Sequence, residues 1–137
     1  MLPKPRIVAL PDGLRIYVND EATIHINVAD HFIRREYIRH KDYIPRRGWI
    51  VIDAGAYVGI YSLWASKHVG EEGLVIAFEP NPLAYQWLIR NITLNKAKNI
   101  IALPYALGDK KTWAILNIAK ENIEASSLIP SHLTNNP

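Results

Sequence analysis

The 137-residue chain contains no cysteine. Disulfides, thiolate metal sites and a cysteine nucleophile are thereby excluded, and the composition fits a reducing compartment such as the cytoplasm. Redox chemistry would require a cofactor. No secretory leader is visible, because the first residues read Met1-Leu2-Pro3-Lys4-Pro5-Arg6 without an apolar run before Pro11 and Asp12, so the mature chain is expected to begin at Met1. Internal repeats and low-complexity tracts are absent. The one stretch that could imitate a membrane span, residues 48–65, carries Asp53 near its centre followed by Gly55 and Gly59, which argues against lipid burial. What is present is ordinary globular material, 49% hydrophobic and 21% charged, enough for one domain that buries roughly two-thirds of its unfolded surface.

Charge is nearly balanced overall, with 16 Lys and Arg against 13 Asp and Glu, but unevenly placed. Residues 1–47 hold the whole +3 excess, whereas residues 48–137 sum to zero. The excess peaks where Arg34, Arg35, Arg39, Lys41, Arg46 and Arg47 surround Glu36 and Asp42. Such a cluster suits either the solvated face of a helix or a patch for an anionic partner such as RNA or a phosphorylated substrate.

Residues 6–19 read as a hairpin: Ile7, Val8 and Leu10 lead into Pro11-Asp12-Gly13, and then Leu14, Ile16 and Val18 alternate with Arg15, Tyr17 and Asn19. Residues 23–28 alternate similarly and predict a third strand. Asp30 suits an N-cap for a helix from about His31 to Lys41, with Phe32, Ile33, Tyr37 and Ile38 on one face. After Gly48 the pattern changes. Residues 49–52 form a continuous apolar run of the kind a strand buried on both faces requires, and a helix from about Val58 to Lys67 follows. Residues 74–78 predict a second buried strand, Pro82 opens a helix reaching about Asn95, and residues 100–103 predict a third strand. Strand, helix, strand, helix, strand with right-handed crossovers gives an α/β, Rossmann-like open, mostly parallel sheet, preceded by a hairpin-and-helix cap over residues 1–47. Residues 113–118 predict a further strand, and 120–137 mostly loop or weak strand.

The informative motif is Asp53-Ala54-Gly55-Ala56-Tyr57-Val58-Gly59, at the carboxyl end of the first buried strand and the start of a helix. Ligands of open α/β sheets bind there, where glycines let the backbone approach and helix N–H groups face the ligand. A dinucleotide fingerprint starting at Gly55 would need glycines where Tyr57 and Ile60 stand, so the spacing excludes it. Asp53 beside the loop suits a cationic ligand such as the amino acid end of S-adenosylmethionine better than a pyrophosphate. Glu79, at the end of the second strand, can accept hydrogen bonds from both hydroxyls of a ribose. The plainer roles are a helix cap for Asp53 and a surface acid for Glu79. At the third tip, Tyr105-Ala106-Leu107-Gly108-Asp109 is either a turn or an adenine slot with Asp109 near the amino group.

These stretches resemble the FkbM-like methyltransferases, a class I S-adenosylmethionine-dependent family. The matching residues are 51–62, Ala77-Phe78-Glu79-Pro80-Asn81-Pro82, residues 88–95, and Ala106-Leu107-Gly108-Asp109 with Ser126-Ser127-Leu128 behind it. The resemblance implies that Asp53, Gly55, Ala56, Tyr57 and Gly59 surround the methionine moiety of S-adenosylmethionine, Glu79 and Pro80 its ribose, and Ala106 and Leu107 its adenine. It also implies O-methylation of a hydroxyl on a small molecule or sugar. The family's later acidic Lys-Ile-Asp-x-Glu-Gly-like motif has no counterpart after Leu128, so the second half of the sheet is expected to be incomplete. The chain is then either part of a longer enzyme or a short protein whose open sheet edge needs cover, for example from a second copy.

No catalytic base is assigned. The histidines His25, His31, His40, His68 and His132 qualify only by residue type, although His31 and His40 fall in a segment positioned to act as a lid. Two other functions compete. An RNA methyltransferase is suggested by Asn81-Pro82 after the second-strand acid and by the Arg34–Arg47 cluster, although no Asn-Pro-Pro-Tyr-like motif is found. A non-catalytic binding module with the same fold is the alternative from another class.

Overall fold

The computed structural model describes residues 5–10, 12–18, 35–117 and 127–130. The predicted strand over residues 23–28, Arg34, His25, His31 and His132 lie outside them. β1 (Arg6–Ala9) and β2 (Arg15–Val18) pair antiparallel, with Arg6 opposite Val18. Their turn needs a left-handed residue, which Gly13 supplies at φ 74°.

Three parallel strands form the centre, in the order β3 (Ile50–Ala54), β4 (Leu74–Phe78), β5 (Ile100–Leu103). The crossovers are helix α1 (Ile60–Val69) and helix α2 (Pro82–Leu94). The two later strands have the bounds read from sequence, and the apolar 48–65 stretch divides into a strand and a helix. Among the described residues no helix is long and apolar enough to cross a membrane. β6 (Ala114–Asn117) pairs antiparallel with β7 (Ser127–Pro130) in a separate ribbon.

Both helices cover one face of the sheet. Val75 and Ala77 of β4 are completely buried; Val75 belongs to a cluster with Trp64, Ala65 and Val69 of α1, and Ala77 to one with Leu88 of α2. On the other face Ile50 is 68% and Ile52 60% exposed. The expectation of a first strand buried on both faces is therefore corrected. Two successive right-handed crossovers in one direction place both helices on the same side, and no described element covers the other.

The hairpin joins the same core. Leu10, Leu14, Ile16 and Val18 pack with Val58, Ile60, Leu63 and Trp87. Two asparagines at the end of α2 stitch it down: Asn91 Oδ1 accepts from the Tyr17 amide at 2.7 Å, while Asn95 accepts from the Arg15 amide at 2.9 Å and donates to the Arg15 carbonyl at 2.6 Å. Asn95 thereby imitates a neighbouring strand residue. Lys67 of α1 donates to the Asp12 carbonyl in the turn.

The helix expected from His31 to Lys41 is not continuous over the described part. Residues Glu36–Ile38 and Lys41–Tyr43 are single 3-10 turns. Arg35 is left-handed at φ 50° and His40 extended, which an α-helix cannot include. Ile38 and Ile44 instead drop separately onto the α1 cluster, leaving Tyr37 and Tyr43 exposed.

Candidate functional site

The site grows from the carboxyl ends of β3 and β4. Because Asp53 pairs with Ala77 in the parallel register, the two strand tips finish side by side and their acids face a common loop. After β3 the chain turns sharply. The Gly55 and Ala56 amides both donate to the Phe78 carbonyl at 2.9 Å. Gly55 takes φ 84°, Tyr57 φ 54° and Gly59 φ 97°. Three left-handed residues in five make this a tight, non-repetitive loop, and Tyr57 adopts a conformation costly for a side chain.

The two glycines serve different ends. A Cβ on Gly59 would stand 2.7 Å from Leu88 Cδ1, so this glycine lets α1 and α2 approach closely. A Cβ on Gly55 would meet nothing within 4 Å. Space beside an exposed loop backbone is what a ligand approaching the peptide plane requires.

Glu79 is 6% exposed and accepts two backbone hydrogen bonds, from the Tyr57 amide to Oε2 and the Asn81 amide to Oε1, each 2.8 Å. It ties the glycine loop to the start of α2. Asn81 then caps α2, its Oδ1 accepting from the Leu83 amide at 3.0 Å, with Pro82 in the first turn. A carboxylate offers about four lone-pair sites, so accepting two amides leaves acceptor capacity for a ligand's hydroxyls. Pro80, half-buried, follows directly.

Asp53 is half-buried and accepts from Ser62 Oγ at 2.5 Å. Burial pushes its carboxyl above the usual aspartate range; the Ser62 hydroxyl opposes this and the Glu79 charge adds to it. Two carboxylates near each other and partly withdrawn from water are electrostatically costly when unliganded, and a cation placed there would offset that cost. Close to Asp53, Tyr61 has its phenol pushed up, first by burial, then by the charge of Asp53 and by Tyr37. The Tyr37 ring lies 5.0 Å from Tyr61, Tyr61 5.6 Å from Trp64, and Trp64 4.3 Å from His68.

The structure therefore brings Asp53, Gly55, Ala56, Tyr57, Gly59, Glu79 and Pro80 around one loop. Ala106 and Leu107 lie on the loop after β5 and are exposed, with Tyr105 63% and Leu107 52% exposed. His68 binds the Trp64 carbonyl along α1 at 2.9 Å. His40 stands exposed, 3.4 Å from Asp42. Neither reaches the loop as a base. Among the described residues no cluster of three or more His, Asp or Glu could hold a metal. Sequence reasoning assigned no role to Ser62 or to Asn91, which is fully buried and also donates to the Val58 carbonyl at 2.8 Å. The spacing of nine from Asp53 to Ser62 was the only signal for the first.

A parallel half-sheet with a glycine loop after its first strand and an acid after its second defines a Rossmann-like fold of the class I methyltransferase kind. A family model described as the TRM5/TYW2 methyltransferase domain matches residues 15–124, and the chain belongs to that family. This corrects the resemblance drawn from the motifs: the class is as expected, but the family is TRM5/TYW2 rather than FkbM-like.

Among curated relatives, the tRNA(Phe) (4-demethylwyosine(37)-C(7)) aminocarboxypropyltransferase of Methanocaldococcus jannaschii is 32% identical over 77 residues, covering 56% of this chain and 29% of that enzyme. Methyltransferase 1 of Beauveria bassiana is 26% identical over 132 residues, covering 93% of this chain and 51% of that protein. The chain thus spans at most about half the length of these two relatives. Among solved structures, TYW2 of P. horikoshii in complex with MeSAdo shares the fold, with 21% identity and a TM-score of 0.54 over 74% of this chain and 36% of that one.

Proposed function

We propose that the chain is the donor-binding part of an S-adenosylmethionine-dependent transferase whose acceptor is RNA, tRNA above all. The observation that carries this reading is the family match across residues 15–124, together with two acids placed at adjacent strand tips around an open glycine loop. Support for the acceptor comes from the tRNA-directed relative. The balance therefore moves from the small-molecule or sugar hydroxyl to RNA, the second of the functions the sequence suggested.

The residues present fit S-adenosylmethionine. Asp53 would face its cationic end, the Gly55 backbone would accept close approach, and Glu79 would take the ribose hydroxyls while still holding Tyr57 in place. Ala106 and Leu107 would contribute to the adenine side only as an open wall. When bound, S-adenosylmethionine supplies an electrophilic carbon on a sulfonium, either the methyl or the aminocarboxypropyl group. This chain's contribution is orientation and charge: a buried, doubly anchored Glu79 fixes the loop, and Asp53 supplies the counter-charge before any acceptor arrives. A second reading, transfer of the aminocarboxypropyl rather than the methyl group, is favoured by the M. jannaschii relative's own reaction.

Calorimetry with S-adenosylmethionine tests the donor site: binding is expected, and Asp53→Ala and Glu79→Ala should each weaken it at least about tenfold, the cost of one charged hydrogen-bond partner. Absence of binding would leave only the non-catalytic module, and variants that bind like the parent would refute the roles given to Asp53 and Glu79. Incubation with tRNA and S-adenosylmethionine labelled separately in the methyl and the aminocarboxypropyl group then identifies what is transferred.

A further inference from the structure

The stretch from Arg35 to Trp49 inverts the usual arrangement of apolar residues. Its aliphatic members Ile38 and Ile44 turn inward onto α1, and Pro45 is buried. Its aromatic members face solvent: Tyr43 is 71%, Tyr37 48% and Trp49 44% exposed. Between them stand Arg35, Arg39, Lys41, Arg46 and Arg47 against Glu36 and Asp42, a local net charge of +3. Large exposed rings cost hydration free energy that a folded chain normally recovers by burial. Rings interleaved with guanidinium and ammonium groups match the chemistry of a single strand of nucleic acid, which offers bare bases to stack and phosphates to pair.

Two further observations support this partner. The acids nearby hold the cations only loosely: Arg46 lies 3.7 Å from Asp42 and Arg47 3.6 Å from Glu72, all more than half exposed. Surface pairs of this kind contribute little and exchange readily for phosphate. The segment also reaches the start of α1, directly after the donor loop: the Tyr37 ring lies 5.0 Å from Tyr61, tilted by 50°, and the Tyr61 phenol senses the charge of Asp53. A strand lying along it would lead toward the Asp53 end of the site.

We propose that residues 35–49 form a single-stranded RNA platform, in which Tyr43 stacks on a base and Arg39, Lys41, Arg46 and Arg47 meet consecutive phosphates. The proposal rests on the reading of RNA as acceptor and goes beyond it by naming the surface and the single-stranded state. Tyr37 and Trp49 extend the platform at its two ends, Arg46 already lying 5.6 Å over the Trp49 ring.

The test measures binding of the full chain to a fluorescent single-stranded RNA of about 12 nucleotides and to the matching duplex, over a salt series. Tyr43→Ala should weaken single-strand binding at least about fivefold and Tyr43→Phe should restore it. Arg39→Gln with Lys41→Gln should lower the salt slope by about 0.7 for each phosphate that no longer meets a cation. All three variants should melt like the parent and bind S-adenosylmethionine unchanged. The proposal is overturned if Tyr43→Ala binds RNA as the parent does, if the salt slope is unaltered, or if duplex binds as tightly as single strand. Its failure is distinguishable from failure of the donor reading: a chain that binds S-adenosylmethionine but not RNA refutes the platform, and one that binds RNA but not S-adenosylmethionine refutes the donor site.

Discussion

Asn91→Ala should be among the most damaging single changes away from the donor loop. The side chain is fully buried and satisfies two backbone groups from different parts of the chain, the Tyr17 amide at 2.7 Å and the Val58 carbonyl at 2.8 Å. Alanine strands both. Each buried polar group left without a partner costs about 1–3 kcal/mol, so the expected loss is about 2–6 kcal/mol before any cavity is counted. Total stabilities of such domains run about 5–15 kcal/mol, and at this chain length 1 kcal/mol corresponds to about 4 °C, so the melting temperature should fall by roughly 10 °C or more. Asn95→Ala is the internal control, because its bonds to Arg15 are exposed and water can replace them; its cost should stay near about 1 kcal/mol. Urea denaturation gives the energies, and amide exchange at Tyr17 shows whether the hairpin has loosened. An Asn91→Ala melt within about 2 °C of the parent, or an Asn95→Ala cost as large, would refute the view that Asn91 clamps hairpin, loop and helix together.

Other consequences follow from the same geometry. Because burial raises the Asp53 carboxyl, the folded chain holds more protons than the unfolded one between the ordinary aspartate value of 3.8 and the raised value, and stability from this group falls as pH rises through that window. Asp53→Asn should therefore stabilise the ligand-free protein at neutral pH while weakening S-adenosylmethionine binding, and a melt that drops instead would contradict the assignment. Binding of the cationic donor should weaken on acidification at a higher pH than an ordinary aspartate would dictate. Ser62→Ala, which removes the hydrogen bond that opposes the rise, should move the midpoint higher still in a calorimetric pH series. Gly59→Ala should cost about 1–3 kcal/mol through φ 97° and a 2.7 Å approach to Leu88. Leu88→Ala added to it should recover only the steric share in a double-mutant cycle.

Motifs around the donor loop proved sound for the class and misleading for the family. An acid and glycines after the first strand and an acid after the second fit the donor that the whole class shares, so they say little about the acceptor. From sequence the Arg34–Arg47 cluster suited either the solvated face of a helix or a patch for an anionic partner, and its local composition does not choose between them.

By itself the sequence determined whatever depends on near neighbours. The turn at Gly13, the strands 74–78 and 100–103, the proline-opened helix after Asn81 and the glycine loop after Asp53 were all legible, because periodicity and turn chemistry act within a few residues. Tertiary structure alone decided what depends on distant ones. It placed Asn91 against Tyr17 and Val58, turned both carboxylate oxygens of Glu79 onto backbone amides, and left Ile50 and Ile52 bare by putting both helices on one face. It also made the described part of the helix expected from His31 to Lys41 a single 3-10 turn, Glu36–Ile38, between a left-handed Arg35 and an extended His40. Burial and long-range hydrogen bonding are properties of the assembled chain, and no local pattern specifies which partner a side chain will meet.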